Sequence, residues 1–406
     1  MDTEARPSLI IRGGDIFTPS GIITDGFVVI RDGRIAHIGS YGEFRTYNTG
    51  DSRIIDARGM VVAPGYIDIH THGAGGHDTL EATPGALWSM AAHHAAHGTT
   101  SFLPTAMTAP EDVLVECAHV VGEAVRQGGY PANIIGLHCE GPWINPGKKG
   151  AQNEAWIRRP SRAELNRWLD GSIGAVRLVT LAPEVEGCID IIRLLAAMGI
   201  TASAGHSAAS YETMLCAVQA GLSHCTHVFN TMPPLHHREP GVVGAALTCD
   251  RLTAEAIVDG FHLHPQVLKI MLRCKGMDRL VLVTDSMMAA GMPDGDYELG
   301  GQKVKVAGGA ARLEGGALAG STLTLDRAVR NMVEFLGVSL YDAVRFATLN
   351  PARVIGIDDR KGSLEAGKDA DVIIMDEEGN VLLTLTGGRV AHTGRGYEDH
   401  RDEAIC

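Results

Sequence analysis

The feature that most constrains this chain is a recurrence in its middle. Short apolar runs keep ending on a polar residue, and a helical segment keeps following. Strand candidates end near His72, Thr105, Glu140, Ala182, Gly205, His227, Asp259 and Asp285. Between most of them lie helical stretches: Pro84–His97, Pro110–Gln127, Cys188–Met198, Ala208–Ala220 and Pro265–Arg273, with Ser161–Asp170 inside a longer link. Eight strands alternating with helices predict an α/β fold, a (β/α)8 TIM-like barrel. The Gly-rich stretch Met287–Gly320 reads as a hairpin over the barrel mouth. Thr322–Leu336 and Tyr341–Leu349 read as helices that close the barrel before Asn350-Pro351.

Both ends are strand-rich instead. Leu9–Arg12, Phe27–Ile30 and Arg34–Ile38 are separated by Gly turns, and Ala370–Met375, Val381–Leu383 and Gly388–Val390 repeat that style. We therefore expect a small β-sandwich from residues 1–60 and 355–406 around a barrel at 61–354. A chain of 406 residues suits one large barrel plus an accessory unit. No fixed-period repeat is visible.

Composition narrows the function. Lys and Arg number 35 against 48 Asp and Glu, a net charge of −13, which disfavours nucleic acid and anionic membrane surfaces as partners. The eight Cys show no CxxC pair, as expected of reduced thiols in a cytoplasmic protein. The first ten residues lack a basic stretch leading into an apolar core, and no apolar run approaches ~20 residues, so neither a signal peptide nor a membrane span is expected.

In a barrel of this kind, active-site side chains sit at the C-terminal ends of the strands. Strand one ends Asp68-Ile69-His70-Thr71-His72, and a spacing of two places both imidazoles on one face of a strand. Other strand ends carry His138-Cys139-Glu140, Gly205-His206, His224-Cys225-Thr226-His227 and Thr284-Asp285. Each alone is weak, because a lone His or Asp is more often a satisfied polar residue. Together they match a borderline divalent ion, Zn²⁺, Fe²⁺ or Mn²⁺, held by His and Glu. Such an ion would lower the pKa of a bound water toward ~7, and Asp285 would carry its proton to a leaving group.

The motifs Ala63-Pro64-Gly65-Tyr66-Ile67-Asp68-Ile69-His70-Thr71-His72-Gly73, Gly136–Trp143, Gly205-His206-Ser207, His227–Pro233 through Arg238–Gly241, Asp259–His262 and Thr284-Asp285 together resemble the N-acetylglucosamine-6-phosphate deacetylase family of the amidohydrolase superfamily. The likeness covers nearly the whole chain. It implies a substrate that is a phosphorylated amino sugar, a principal metal on Glu140, His206 and His227, and Asp285 as base and acid. Some members lack the HxH pair and keep one metal; His70 and His72 here provide for a second, so the expectation is one or two ions. It assigns phosphate contacts to Arg238, His262 and the backbone at Asn230-Thr231, and further substrate contacts to Ala151, Gln152, Asp259, Leu318, Ala319 and Gly320. It also implies a homodimer. One departure stands out. Where some members place a carbonyl-polarising His, this chain has Gln152, which donates a hydrogen bond to an oxyanion but carries no proton.

Other features read more plainly. His93, His94 and His97 form an ordinary helix face, and His236 and His237 a solvated loop. His138 lines or supports the pocket without ligating, His77 belongs to a loop, Cys139 and Cys225 pack, and Gly308–Gly316 lacks the context of a dinucleotide loop. The competing activities are a galactosamine-type 6-phosphate deacetylase, another amidohydrolase such as a deaminase or dihydroorotase, and a non-catalytic scaffold. No Lys falls at a strand end to be carboxylated, and every proposed ligand is present, so the deacetylase leads.

Overall fold

The computed structural model describes residues 9–47, 52–395 and 397. The chain opens with five strands: β1 (Leu9–Thr18), β2 (Gly21–Arg31), β3 (Arg34–Gly39), β4 (Arg53–Asp56) and β5 (Val61–Pro64). The β2–β3 turn is Asp32-Gly33, with φ of 49° and 75°. Two positive φ values give the twist that a two-residue hairpin needs.

The barrel strands follow: β6 (Tyr66–Thr71), β7 (Thr99–Ala106), β8 (Leu137–Glu140), β9 (Val176–Leu181), β10 (Thr201–Ala204), β11 (His224–Cys225), β12 (Thr253–Ala256) and β13 (Leu280–Leu282). Each pairs in parallel with the next. The ring closes through a parallel bridge between Thr71 and Ser286, and Asp285 N–H donates to the His70 carbonyl at 2.9 Å. Closure therefore sets the last strand end beside the first.

The helices pack outside with the caps their sequences offer. Pro84–Ala96 begins at Thr83, whose hydroxyl accepts from Ala86 N–H, and Pro84 occupies the first turn, where its missing N–H costs nothing. Leu325–Leu336 buries Leu325, Ala328, Val329 and Met332, one face at helical spacing, and stops at left-handed Gly337. Two helices depart from the sequence reading. Gly241–Thr248 was not expected; its residues 242–247 are all buried, so no polar face marks a helical period. Leu349–Val354 runs across Asn350-Pro351, where a break was expected. Pro351 lies in its first turn, which tolerates the ring.

Over the barrel mouth lies an antiparallel sheet of β14 (Gly295–Leu299), β15 (Gln302–Ala307) and β16 (Ala310–Leu313). It is three-stranded, one strand more than a simple hairpin, and its underside packs Leu299, Val304 and Val306 on Met107, Met287 and Ala319. The chain ends in β17 (Val372–Met375), β18 (Val381–Thr386) and β19 (Arg389–Thr393). These join the first five strands in one eight-stranded sheet, ordered β19-β18-β17-β5-β1-β2-β3 with β4 also paired to β1. Ile11, Val28, Ile30, Val62, Val372, Ile374 and Leu385 form its own apolar core.

Candidate active site at the barrel mouth

Six side chains meet at the C-terminal ends of the strands: His70 near the end of β6 and His72 just after it, Glu140 ending β8, His206 after β10, His227 after β11 and Asp285 after β13. All are buried, none more than 8% exposed. His206 Nε2 and His227 Nε2 lie 3.1 and 3.0 Å from Glu140 Oε1, and 3.2 Å from each other. His72 Nε2 lies 3.3 Å from Glu140 Oε2 and 3.2 Å from Asp285 Oδ1. His70 Nε2 lies 3.5 Å from both Glu140 Oε1 and Asp285 Oδ1.

The ring orientations are set from behind. His72 Nδ1 donates to the Thr105 carbonyl at 3.1 Å, and His206 Nδ1 to the Lys148 carbonyl at 2.9 Å. A carbonyl only accepts, so each Nδ1 carries a proton, and in the neutral ring each Nε2 turns a lone pair inward. His70 Nδ1 donates to the Glu255 carboxylate at 3.0 Å. Glu255, buried on β12, also accepts from His224 Nε2 at 3.0 Å and from His227 N–H at 3.0 Å.

The backbone here is unusual. Of nine non-Gly residues with positive φ among the described residues, five are at this site: His206 (47°), His227 (28°), Phe229 (78°), Thr231 (55°) and Asp285 (47°). Each costs about 1–2 kcal/mol for an L-residue, and such costs persist where function requires the geometry. Gly150, with φ of 55°, lets the loop after β8 close over the site; a Cβ there would stand 2.7 Å from Thr231 Cγ2 and 3.4 Å from His206 Cε1.

The electrostatics are those of a cation site. Burial alone would raise the carboxyl of Glu140, yet the facing His206 and His70 hold it well below the usual range. Asp285 is likewise lowered, against its burial, by His70 and His72. Burial would depress His70, but Asp285, Glu255 and Glu140 raise it to about 9. Two groups are close enough to share an ion, His70–His72–Glu140 and Glu140–His206–His227, with Glu140 common to both. His70 Nε2 is buried without a hydrogen-bond partner. Inward lone pairs, an unpartnered imidazole nitrogen and a shared carboxylate all fit bound divalent ions.

The site opens into a cleft of about 290 Å³ that takes in His72, Glu140, His206, His227 and Asp285 together with Ala151, Gln152, Asn230, Thr231, His262, Leu318 and Gly320. Three expected contacts lie elsewhere. Asp259 stands behind His262, its Oδ2 2.7 Å from His262 Nδ1. Ala319 is buried in the core under the mouth sheet. Arg238 is exposed on the loop after β11, outside this cleft, where its Nη1 donates to His237 Nε2 at 2.8 Å. The Gln152 amide is also spoken for: Oε1 accepts from Thr108 N–H at 2.7 Å and Nε2 donates to Glu140 Oε2. It faces the carboxylate, not an open oxyanion position.

His138 is buried with its ring nitrogens on the hydroxyls of Thr105 (3.2 Å) and Thr180 (2.8 Å). His94 packs on Phe102 and lies 3.3 Å from the Thr71 hydroxyl, and His77 pairs with Glu81. Cys139 and Cys225 are buried, with thiols pushed up by burial, Cys225 to about 12. The seven described Cys are free thiols, and Cys406 lies outside the described residues. Glu255 was missed. The available signal was an acid inside the apolar run Thr253–Val258, since carboxylates are almost never buried without partners.

A closed (β/α)8 barrel whose strand ends converge on His and carboxylate donors defines a metal-dependent hydrolase class, and residues 61–391 match the sequence profile of the amidohydrolase family. The chain is 40% identical to the N-acetylglucosamine-6-phosphate deacetylase of Bacillus subtilis (strain 168), over 95% of this chain and 97% of that one. It is 39% identical to the N-acetylgalactosamine-6-phosphate deacetylase of Escherichia coli O157:H7, over 94% and 99%. Its fold superposes with a TM-score of 0.89 on the N-acetyl-D-glucosamine-6-phosphate deacetylase of Mycobacterium smegmatis in complex with N-acetyl-D-glucosamine-6-phosphate, at 33% identity over 95% and 100% of the two chains. The chain belongs to the N-acetylglucosamine-6-phosphate deacetylase family of amidohydrolases.

Proposed function

We propose that this protein hydrolyses the acetamide of N-acetylglucosamine 6-phosphate to acetate and glucosamine 6-phosphate. The observation that carries the reading is the joining of two unlike ends in one cleft. One end holds inward-facing imidazoles around Glu140 beside Asp285; the other offers His262, Asn230 and Thr231 to an anion.

Glu140, His206 and His227 would hold one divalent ion, and His70, His72 and Glu140 a second, with Zn²⁺, Fe²⁺ and Mn²⁺ all suited to these donors. Such ions acidify a water and polarise a carbonyl. Asp285 supplies the proton transfers. Its carboxylate removes a proton from the attacking water as the new C–O bond forms, then delivers it to the amine as the C–N bond breaks. His262, fixed through Nδ1 by Asp259, turns its other nitrogen to the phosphate. Gln152 steadies Glu140. Arg238 reaches a phosphate from the loop after β11 in the homodimer that the family resemblance implies, and the enzyme works in the cytoplasm on an internal phosphosugar.

The test is an acetate-release assay on N-acetylglucosamine 6-phosphate, N-acetylgalactosamine 6-phosphate and both unphosphorylated sugars, with elemental analysis of the same protein. The expected result is fastest release from the glucosamine 6-phosphate form and one to two divalent ions per chain. No acetate release from any of them, with ammonia released from a nucleobase, would falsify the reading.

A further inference from the structure

Glu255 lies one layer behind the ligands and touches both ion sites. Its Oε2 accepts from His70 Nδ1 and from His227 N–H, each at 3.0 Å; its Oε1 accepts from His224 Nε2 at 3.0 Å. Behind His224, Thr253 Oγ1 stands 2.6 Å from Nδ1. The carboxylate is completely buried, and so are the rings of His70 and His224. A buried charge with three donors is stable only as a built feature, and the apolar strand around it offers no other reason for an acid.

His70 differs from its neighbours in what holds it. His72 and His206 are aimed by backbone carbonyls, which are neutral. His70 is aimed by a carboxylate. An anionic acceptor behind a ring fixes the tautomer and raises the basicity of the opposite nitrogen. That nitrogen is His70 Nε2, the one facing Glu140 and Asp285 at 3.5 Å without a hydrogen bond.

We propose that Glu255 is a positioning residue, which locks His70 with its proton on Nδ1 and thereby builds the second divalent-ion site on His70, His72 and Glu140. The assignment rests on the two-ion reading above. His224 is the clamp that holds Glu255 in place. Because Glu255 also holds the His227 backbone, it ties the two ion sites to one side chain.

Glu255→Gln separates charge from shape. The glutamine oxygen still accepts from His70 and His227 N–H, and its amide faces His224, whose ring nitrogens exchange donor and acceptor roles with tautomer. Metal-free wild type and variant are titrated with Zn²⁺ alone against a chelating indicator, so no substrate is involved. The wild type is expected to bind two ions. The variant should bind the first with little change and the second about 10- to 100-fold more weakly, with an unchanged thermal midpoint in chelator. Two ions bound by the wild type and bound equally by the variant overturn the role of Glu255 alone. A wild type that takes up a single ion overturns the two-ion reading and this assignment with it. Should the variant not fold, long-range ¹H–¹⁵N spectra of zinc-loaded wild type decide: His70 protonated at Nδ1 supports the assignment, and a proton on Nε2 overturns it.

Discussion

The two ends of the cleft are built to different standards. At the metal end, every ligand is buried at a strand end, and three of the four imidazoles are held through Nδ1 by a fixed acceptor. At the anion end, Asn230 and Thr231 are half-buried, and only His262 has a comparable clamp, in Asp259. Arg238, the strongest anion partner by chemistry, stands on an exposed loop. Bond-breaking needs donors held to within a fraction of an ångström. Recognition of a phosphate is more tolerant, because a dianion attracts any donor brought near it. The global charge of −13 is no obstacle, since only the local field in the cleft meets the substrate.

The largest expected effect tests the rigid end. Asp285→Asn should lower kcat by about 10²–10⁴-fold, with metal content and KM little altered. Steady-state kinetics on protein of measured metal content would show it. A variant that keeps most of its kcat removes Asp285 from the proton path and leaves the metal end without its base.

Next comes the loose end. Losing a charge-assisted hydrogen bond costs about 1.5–3 kcal/mol, so Arg238→Ala should raise KM for the 6-phosphate roughly 10- to 150-fold. The slow reaction of the unphosphorylated sugar should be untouched. If both substrates suffer alike, Arg238 supports the loop and not the phosphate.

Gln152 sits between the two ends, and its expected effect is smaller. Acting through Glu140, Gln152→Ala should weaken metal binding about 10-fold while kcat recovers at saturating metal. A kcat that stays low with both ions bound instead returns Gln152 to the substrate carbonyl.

The contrast between the ends also governs what the sequence could tell. The barrel was legible because most strands are short apolar runs followed by a helical stretch, and His70 and His72 because a spacing of two means one face of a strand. Glu255 was not, since one acid on a strand has no period and gains its meaning only from His70 and His224, 185 and 31 residues away. Nor were the left-handed backbones at His206, His227 and Asp285, because His and Asp carry no glycine-like mark of positive φ. The helix Gly241–Thr248 escaped for want of a polar face. Arg238 was expected at the phosphate, but a linear motif does not say whether its side chain reaches the cleft of its own chain, and here it stands outside it.

The smallest expected effect on catalysis comes from a charge cluster on the helix layer, and it calibrates the others. Asp326, in the first turn of Leu325–Leu336, is nearly buried. Burial would raise its carboxyl, but His97 at 3.3 Å, Arg330 at 3.1 Å and the Thr324 hydroxyl lower it to about 2. Its unfolded value is near 3.8. A group whose pKa falls on folding adds stability that is fully present above the unfolded value and is lost as the pH drops through the folded one. The shift corresponds to about 2 kcal/mol. Asp326→Asn should therefore lower the urea midpoint at pH 7, and the gap to wild type should narrow as the pH falls from 4 toward 2. Activity at pH 7 and 25 °C should stay within about 2-fold, because the partners of Asp326 among the described residues, His97, Arg330 and Thr324, are not proposed ligands, and sites without shared partners act nearly independently. A gap that stays constant down to pH 3 would show that the loss at Asp326 is one of packing and not of charge. A large drop in kcat would mean that the ligands depend on the helix layer as well as on the strand ends, and the division between a rigid and a tolerant end would then have to include what lies behind both.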